Sequence, residues 1–162
     1  MHNESYEAAK KFKNRYLPES LNRLTFLEVG SLNVNGSLRS VFSKTKKYTG
    51  VDIVSGRDVD IVLKDPHKLP FNDSEFDMVV SASTMEHVEY FWEAFKEQGR
   101  VLKPGGYIYM YVPFKEAIHH RPDRWRVTPD GCKALANYAG LLFVDAYIDP
   151  SRYVASVFQK NK

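Results

Sequence analysis

The chain has 162 residues, 43% of them hydrophobic, and a net charge of +3, which fits one domain over residues 1–162 and excludes a wholly disordered chain. Its single cysteine excludes an internal disulfide and is typical of a reducing compartment. No apolar run approaches the ~20 residues that cross a bilayer, and the first residues lack the apolar core of a signal peptide. These observations predict a cytoplasmic protein without a membrane segment.

The first half of the chain predicts a helix followed by short strands. Residues 4–16, within an N-terminal helical segment over 1–20, place apolar side chains on one helix face. The basic side chains of this helix fit a solvent-exposed surface, and a nucleic-acid contact is the alternative. Apolar runs predict strands at 24–29, 48–53, 59–63 and 76–82, with a helical stretch over 37–46 after the first of them.

The second half predicts two helices and three strands. The predicted elements are a helix at 89–102, a turn at 103–106, a strand at 107–112, a helix from Thr128 to Ala139 ended by Gly140, and strands at 142–148 and 153–160. The last two strands should form an antiparallel hairpin because only a short turn separates them. The alternation of strands and helices predicts an α/β domain with a doubly wound, mostly parallel, seven-stranded sheet.

The carboxyl ends of parallel strands collect at one edge of such a sheet, where ligands bind. After the first strand, Glu28 precedes Gly30, and Gly36 follows. Gly30 allows a tight turn and a close approach of the backbone. Asp52 ends the second strand at about the ~20-residue spacing that a ribose-binding carboxylate keeps from such a glycine. This pattern fits either NAD or S-adenosylmethionine.

Glu28 distinguishes the two cofactors. NAD places a pyrophosphate over the first turn, where a carboxylate would repel it. S-adenosylmethionine has no phosphate and carries ammonium and sulfonium groups, which a carboxylate attracts. The sequence therefore favours S-adenosylmethionine, and the missing G-x-G-x-x-G pattern argues against an NAD-dependent oxidoreductase.

Two further strand ends carry polar side chains. Asp65, after the third strand, can accept a hydrogen bond from an adenine amine, and the backbone at His67 can meet the base edge. His87, after the fourth strand, is a candidate general base, and holding the loop by a hydrogen bond is the alternative. The neighbouring Glu86 is interpreted as a structural residue.

The segments FLEVGS, YTGVDI, LPFNDSEFD, MEHV and RVLKPGG resemble, in their order and spacing, those of class I S-adenosylmethionine-dependent methyltransferases, over residues 24–145. The resemblance implies a Rossmann-like fold in which Asp52 binds ribose, Asp65 and His67 flank adenine, and Ser81 lies beside the transferred methyl group. The residues that would hold the methionine part of the cofactor are Glu28, Gly30, Ser31, Asn33 and Gly36. Leu32 departs from the family pattern, which has a glycine at this position.

Segment 113–128 is the predicted substrate loop because it follows the fifth strand at the same sheet edge. His119, His120 and Arg121 are interpreted as substrate contacts or as part of a lid. Trp125 is interpreted as the anchor of the loop. Adjacent histidines do not share a face well, and no carboxylate–histidine set surrounds them at ligand spacing, so no metal site is expected.

The sequence thus predicts methyl transfer from S-adenosylmethionine to a small-molecule acceptor, such as a saccharide oxygen, with His87 removing the acceptor's proton. A small domain without an added recognition domain favours a small acceptor. No Asn/Asp-Pro-Pro-aromatic motif follows the fourth strand, which disfavours methylation of an adenine or glutamine amine. The alternatives are an S-adenosylmethionine-binding module without activity, an RNA methyltransferase, and an NAD-dependent oxidoreductase.

Overall fold

The computed structural model describes residues 3–162, so the first two residues of the predicted domain lie outside the described residues. Helices α1, α2 and α3 span Asn3–Tyr16, Phe91–Val101 and Pro129–Ala139. Strands β1 to β7 span Thr25–Val29, Lys47–Asp52, Ile61–Val62, Phe76–Ala82, Leu102–Pro113, Leu142–Ile148 and Tyr153–Gln159. No helix within the described residues has the length and apolarity needed to cross a membrane.

The seven strands form one sheet in the order β3-β2-β1-β4-β5-β7-β6. The strands from β3 to β5 pair in parallel. Strand β7 lies between β5 and β6 and is antiparallel to both. The predicted α/β domain, with a mostly parallel sheet and a C-terminal antiparallel hairpin, is confirmed.

Each face of the sheet carries its own apolar layer. On one face, α1 and the segment after β1 pack on the central strands, with Phe42 placed between Phe12 and Phe26 at ring distances of 6.2 and 5.2 Å. On the other face, α2 and α3 cover the sheet, and Phe95 meets Phe158 at 4.7 Å. Burial of each such ring contributes roughly 1.5–3 kcal/mol. The strands are therefore held from both sides, and their carboxyl ends are fixed relative to one another.

The helix predicted over residues 37–46 is wrong, because only a single 3-10 turn, Leu38–Ser40, forms there. The side chain of Ser37 caps this turn by accepting the N–H of Arg39, and the hydroxyl of Ser40 bonds back to the carbonyl of Ser37. Serine side chains that bond to the local backbone compete with helix formation. Lys44 then adopts a φ of 63°, a left-handed conformation that a continuing α-helix excludes.

The predicted turn at residues 103–106 lies inside β5. Phe76 on β4 pairs with Leu102 on β5, and Met78 pairs with Tyr107. Between these two pairs β5 has more residues than β4, so the regular strand pairing is interrupted there. Gly105, with a φ of 77°, makes this conformation accessible. Strand β3 is shorter than predicted and consists of Ile61–Val62 alone.

Helix α3 begins and ends where the sequence predicts. The hydroxyl of Thr128 accepts the N–H of Gly131 at 2.9 Å, and Pro129 takes the first helical position. Gly140 closes the helix with a φ of 68°, the left-handed conformation typical of a helix C-terminus. This helix follows segment 113–128 and fixes the far end of that loop against the sheet.

Candidate functional site

The loop after β1 runs tightly between its neighbours. The N–H groups of Gly30 and Ser31 both donate to the carbonyl of Val51 at the end of β2, at 2.9 and 3.0 Å. Gly30 has a φ of 81°, and a Cβ at this position would overlap the side chain of Thr84 after β4. Only glycine meets both conditions without strain. The backbone at Gly30 therefore approaches neighbouring protein segments closely, in addition to any ligand that binds over the loop.

Asp52 braces the same loop. One carboxylate oxygen accepts the N–H of Leu32 and the other accepts the N–H of Val54, each at 3.1 Å. A carboxylate oxygen has two lone pairs, so each oxygen keeps one for a further donor such as a ribose hydroxyl. Leu32, where the resemblance implies a glycine, thus contributes a backbone N–H that orients Asp52.

Asn33 and Gly36 close the loop. The side-chain amide of Asn33 donates to Asp58 at 2.6 Å, and its oxygen accepts the N–H of Gly36 at 2.8 Å. Gly36 has a φ of 125°, and a Cβ at this position would overlap the hydroxyl of Tyr6 on α1. Both side-chain groups of Asn33 are engaged by protein groups, one within the loop and one at Asp58, so Asn33 acts on a ligand chiefly by holding the backbone shape.

An open cleft of about 590 Å³ adjoins the outer side of this loop, between Tyr6, Asn35 and Asp58. Neither Asp52 nor Ser81 is among its lining residues. The cleft therefore borders the loop without including the strand ends at which the sequence places ribose and the transferred methyl group.

Glu28 lies beneath the loop, on the face of the sheet that α1 covers. Its carboxyl group accepts the hydroxyl of Tyr48 at 2.8 Å and the backbone N–H of Leu38. Burial raises the pKa of Glu28 to about 7, although these hydrogen bonds act in the opposite direction. At neutral pH the carboxyl group is therefore only partly ionised, and its attraction for a cationic ligand is weaker than the sequence alone indicates.

Two serine hydroxyls lie buried at the strand ends without a hydrogen-bond partner within residues 3–162. Ser31 is 2% exposed and Ser81 is 1% exposed. A buried hydroxyl without a partner costs free energy, and such groups commonly face a ligand or an ordered water. Ser81 stands near the end of β4, where the sequence predicts contact with the transferred group.

Asp65 and His67 are brought together after β3. The Oδ1 atom of Asp65 accepts the backbone N–H of His67 and also lies 2.9 Å from its Nδ1 atom. The backbone hydrogen bond from His67, followed by the ring contact, lowers the pKa of Asp65. The His67 ring in turn lies 5.6 Å from the ring of Tyr90. The two residues form a polar edge next to a flat aromatic surface.

Ile53 and Val54 are two candidate ligand contacts that the sequence reasoning missed. They follow Asp52 directly and remain 58% and 52% exposed. Apolar side chains in this position can cover one face of a planar base while Asp52 meets the attached sugar. The available signal was the continuation of apolar residues beyond the strand-ending acid in the segment VDIV.

Glu86 and His87 lie in a 3-10 turn, Met85–His87, after β4. The Glu86 side chain is fully buried, and within residues 3–162 neither carboxylate oxygen has a hydrogen-bond partner. Burial, and then the charge of Asp123, raises the pKa of Glu86 to about 8. The interpretation of Glu86 as a structural residue stays a prediction. The Nδ1 atom of His87 lies 2.7 Å from the carbonyl oxygen of Pro122.

Segment 113–128 is tied to the turn after β4 by further hydrogen bonds besides the one between His87 and Pro122. The Trp125 ring nitrogen donates to the carbonyl of Val88 at 2.9 Å, which confirms Trp125 as an anchor. Arg124 donates its backbone N–H to the carbonyl of Glu86 and its guanidinium to the carbonyl of His87. The predicted substrate loop and the predicted general base are therefore joined directly in the structure.

The three predicted substrate residues separate in the structure. His119 faces inward, with its Nε2 atom 3.7 Å from the buried carboxylate of Glu86. His120 and Arg121 stay on the surface. The sequence reasoning missed the grouping of Glu86, His87 and His119, because a long connection separates His119 from the other two along the chain.

The strand-end residues fit a cationic nucleoside ligand. Asp52 and Asp65 place carboxylates after β2 and β3, and the orphaned hydroxyl of Ser81 follows at β4. The loop from Gly30 to Gly36 carries no lysine or arginine. This arrangement suits the sugar, base and positive charge of S-adenosylmethionine better than a pyrophosphate, which favours basic groups and free backbone N–H groups.

Two curated relatives match part of the chain. A ubiquinone/menaquinone biosynthesis C-methyltransferase from Bartonella henselae is 36% identical over 75 residues, which cover 46% of this chain and 27% of that protein. A probable tRNA methyltransferase 9B from Mus musculus is 32% identical over 90 residues, covering 54% of this chain and 20% of that protein. The matches thus span about a quarter of the length of these relatives or less.

Among solved structures, a Burkholderia thailandensis 1,6-didemethyltoxoflavin-N1-methyltransferase with bound S-adenosylhomocysteine shares the fold. It is 17% identical, with a TM-score of 0.75 over 99% of this chain and 80% of that one. A family model described as a methyltransferase domain matches residues 27–110, which include most of β1, all of β2 to β4 and most of β5. The chain belongs to this methyltransferase domain family, within the class I S-adenosylmethionine-dependent methyltransferases.

Proposed function

We propose that the chain transfers a methyl group from S-adenosylmethionine to an oxygen of a small-molecule acceptor, such as a saccharide. The observation that carries this proposal is the line of strand ends at one edge of the sheet. Asp52 and Asp65 suit the sugar and base of the cofactor, Ser81 offers a free hydroxyl beyond them, and His87 follows in the next turn. A cofactor-binding half and an acceptor half thus adjoin.

His87 is the proposed group for removing the acceptor's proton. The carbonyl of Pro122 can only accept a hydrogen bond, so Nδ1 of His87 carries the hydrogen and Nε2 keeps its lone pair. When bound, S-adenosylmethionine supplies an electrophilic methyl group on a sulfonium. The acceptor oxygen bonds to the methyl carbon, the C–S electron pair goes to sulfur, and the acceptor's proton passes to Nε2. A positioned base contributes ~10²–10⁴-fold, and orientation contributes the larger share.

Segment 113–128 is the proposed substrate loop. It lies against the turn that carries His87, and its exposed His120 and Arg121 can meet polar groups of an acceptor. A small acceptor is supported by the names of relatives that act in ubiquinone or menaquinone synthesis. The proposed cofactor contacts remain Glu28, Gly30, Ser31, Asn33, Gly36, Asp52, Asp65, His67 and Ser81.

RNA methylation is the second candidate function, favoured by the name of the mouse relative and by the basic helix α1. The basic side chains of α1 are largely engaged within the chain. Lys10 pairs with Glu7, Lys13 donates to the carbonyl of Val41, and Arg15 pairs with Asp145. These contacts within the chain support the interpretation of the basic side chains as an ordinary solvent-exposed surface of α1. We therefore rank a small-molecule acceptor above RNA.

We further propose that the sheet is doubly wound, that the chain forms one domain, and that it acts in the cytoplasm. The strand order supports the first point, since its direction of progression reverses between β1 and β4. The single, buried Cys132 is compatible with a reducing compartment. The two apolar layers share one sheet, which supports a single domain.

The experiment has two arms. Calorimetric titration with S-adenosylhomocysteine should give micromolar binding, and NADH should give none. Production of S-adenosylhomocysteine should then be followed with small hydroxylated acceptors and, in parallel, with tRNA. Turnover on tRNA alone would replace the first candidate with the second. Binding without turnover on either class would favour the module without activity.

A further inference from the structure

Glu86, His87 and His119 converge on one point at the acceptor side of the site. The Oε1 atom of Glu86 lies 3.9 Å from Nε2 of His87 and 3.7 Å from Nε2 of His119. One ligand atom from each side chain fits within 4.8 Å of the other two. Two imidazoles and a carboxylate arranged in this way match the donor sets of transition-metal sites.

The burial of Glu86 is an independent observation that points to a ligand. Its side chain has no exposed surface, and both of its oxygens lack a hydrogen-bond partner within residues 3–162. A buried carboxyl group left in this way is costly unless it is paired, hydrogen-bonded or coordinated to a metal. Both imidazole Nε2 atoms lie within 4 Å of its Oε1 atom but beyond hydrogen-bond distance, so they do not satisfy it.

The other ring nitrogen of each histidine is already held by an oxygen. Nδ1 of His87 lies 2.7 Å from the carbonyl of Pro122, and Nδ1 of His119 lies 3.1 Å from a carboxylate oxygen of Asp123. Asp123 is itself fixed by the guanidinium of Arg126. Because Nδ1 of each ring is the hydrogen donor, both Nε2 atoms present lone pairs towards Glu86. Metal-binding histidines are characteristically oriented by such contacts.

We propose that Glu86, His87 and His119 bind a divalent first-row transition metal ion through one carboxylate oxygen and two Nε2 atoms. Bonds of ~2.0–2.1 Å to a tetrahedral ion place ligand atoms about 3.3 Å apart. The distances of 3.9 and 3.7 Å from Glu86 to the two imidazoles therefore need to shorten by roughly half an ångström, and the two Nε2 atoms, which lie within 4.8 Å of each other, need to approach by at most about 1.5 Å. The nitrogen-rich donor set selects zinc or cobalt over magnesium, which prefers oxygen ligands.

The site is accessible and incompletely filled by the chain. The side chains of His87 and His119 are 29% and 28% exposed, so an ion can enter past the rings. Three protein ligands leave at least one coordination position, as in catalytic zinc sites. Resting on the proposed function, we assign this position to the acceptor oxygen. In the metal-bound form Nε2 of His87 is a ligand and cannot accept a proton, so this assignment replaces the proton removal by His87 proposed above, and the acceptor's proton passes to water.

The test is a calorimetric titration of chelator-treated, full-length protein with Zn²⁺, and an optical titration with Co²⁺, whose visible absorption reports coordination by nitrogen and oxygen. We expect one equivalent of Zn²⁺ to bind at micromolar affinity or tighter and Mg²⁺ to bind far more weakly. Glu86→Gln and His119→Ala should each weaken Zn²⁺ binding on the order of 100-fold or more. His120→Ala, which removes the adjacent exposed imidazole, is the matched control and should bind as the wild type does.

Each outcome decides the proposal. Stoichiometric binding lost in both ligand variants and kept in the control supports it. Absence of Zn²⁺ binding, or equal binding by wild type and Glu86→Gln, overturns it. Circular dichroism of each variant identifies any that has not folded, and Glu86→Gln keeps the shape of the side chain. Titration with S-adenosylhomocysteine in the same samples separates this result from the proposed cofactor binding, since none of the three metal ligands is a proposed cofactor contact.

Discussion

The hydroxyl of Tyr48 on β2 donates to the carboxyl group of Glu28 on β1 at 2.8 Å, beneath the loop that carries Gly30. The same carboxyl group accepts the N–H of Leu38, so one side chain joins β1, β2 and the 3-10 turn after the loop. A partly protonated, buried carboxyl group therefore supports the shape of the predicted cofactor loop from below.

Stability should depend on pH through Glu28. Its pKa is about 7 in the folded protein, against 4.5 for a glutamate in the unfolded chain. Between these two pH values the folded chain binds more protons than the unfolded chain, so stability falls as pH rises. Above about pH 7 the loss is complete and amounts to roughly 3 kcal/mol at ~1.4 kcal/mol per pKa unit. Glu28→Gln removes this loss. The free energy of unfolding should be measured with urea at pH 5 and pH 8. Relative to the wild type, the variant should be more stable at pH 8 than at pH 5 by a few kcal/mol.

An unchanged difference between wild type and Glu28→Gln at the two pH values would exclude this role of Glu28. The control is Glu75→Gln, which changes a half-buried carboxyl group that accepts the N–H of Asn72. Its effect on unfolding should vary little over the same range.

Replacing Gly30 should be more harmful than replacing another glycine of similar conformation. Gly30→Ala combines a positive φ with overlap of the side chain of Thr84, whereas Gly140→Ala meets no atom within 4 Å. A left-handed alanine costs ~1–2 kcal/mol, so Gly140→Ala should lose about that much stability. Gly30→Ala should lose more and should bind S-adenosylhomocysteine at least ~10-fold more weakly. Equal losses in thermal unfolding and unchanged ligand affinity would contradict the tight loop.

Asp52→Asn should weaken cofactor binding although it keeps the size of the side chain. Both oxygens of Asp52 accept backbone N–H groups, and an amide NH₂ cannot accept either of them. One donor is left unpaired, at ~1–3 kcal/mol, and the loop shifts. We expect the Kd for S-adenosylhomocysteine to rise roughly 10- to 100-fold. Asp130→Asn, an exposed acid in the first turn of α3, is the control and should leave the Kd unchanged.

Trp125→Phe should loosen the predicted substrate loop and leave cofactor binding intact. The change keeps an aromatic ring near Phe91 and Trp92 and removes the hydrogen bond to the carbonyl of Val88, worth ~1 kcal/mol. Limited proteolysis should cut within residues 113–128 faster than in the wild type, while titration with S-adenosylhomocysteine should be unchanged. Cleavage at the wild-type rate would show that Trp125 does not anchor the loop.

The sequence predicted the sheet well because its strands are short apolar runs bounded by acids, glycines or prolines. The helix predicted over 37–46 failed because Leu38, Val41 and Phe42 have the spacing of a helix face, yet they are equally well buried around a single 3-10 turn. Local serine hydrogen bonds then decide the backbone, and such competition leaves no mark on the apolar spacing.

The strand-end residues were accessible to sequence reasoning, since parallel strands bring their carboxyl ends together wherever the loops go. Asp52 and Asp65 were found in this way. The meeting of His119 with Glu86 depends on how segment 113–128 folds back onto the turn after β4. No spacing rule specifies a contact over that separation, and the expectation that no carboxylate surrounds the two adjacent histidines rested on neighbours in the chain alone.

The placement of β7 has a consequence for how the protein is made. Strand β5 borders β4 on one side and β7 on the other, and β6 pairs within the sheet only through β7. Until residues 153–159 have been synthesised, β5 presents an unpaired apolar edge and β6 has no partner in the sheet. Such edges recruit strands of other chains. The chain is thus most vulnerable to aggregation while β5 and β6 are present and residues 153–159 have not yet joined the sheet.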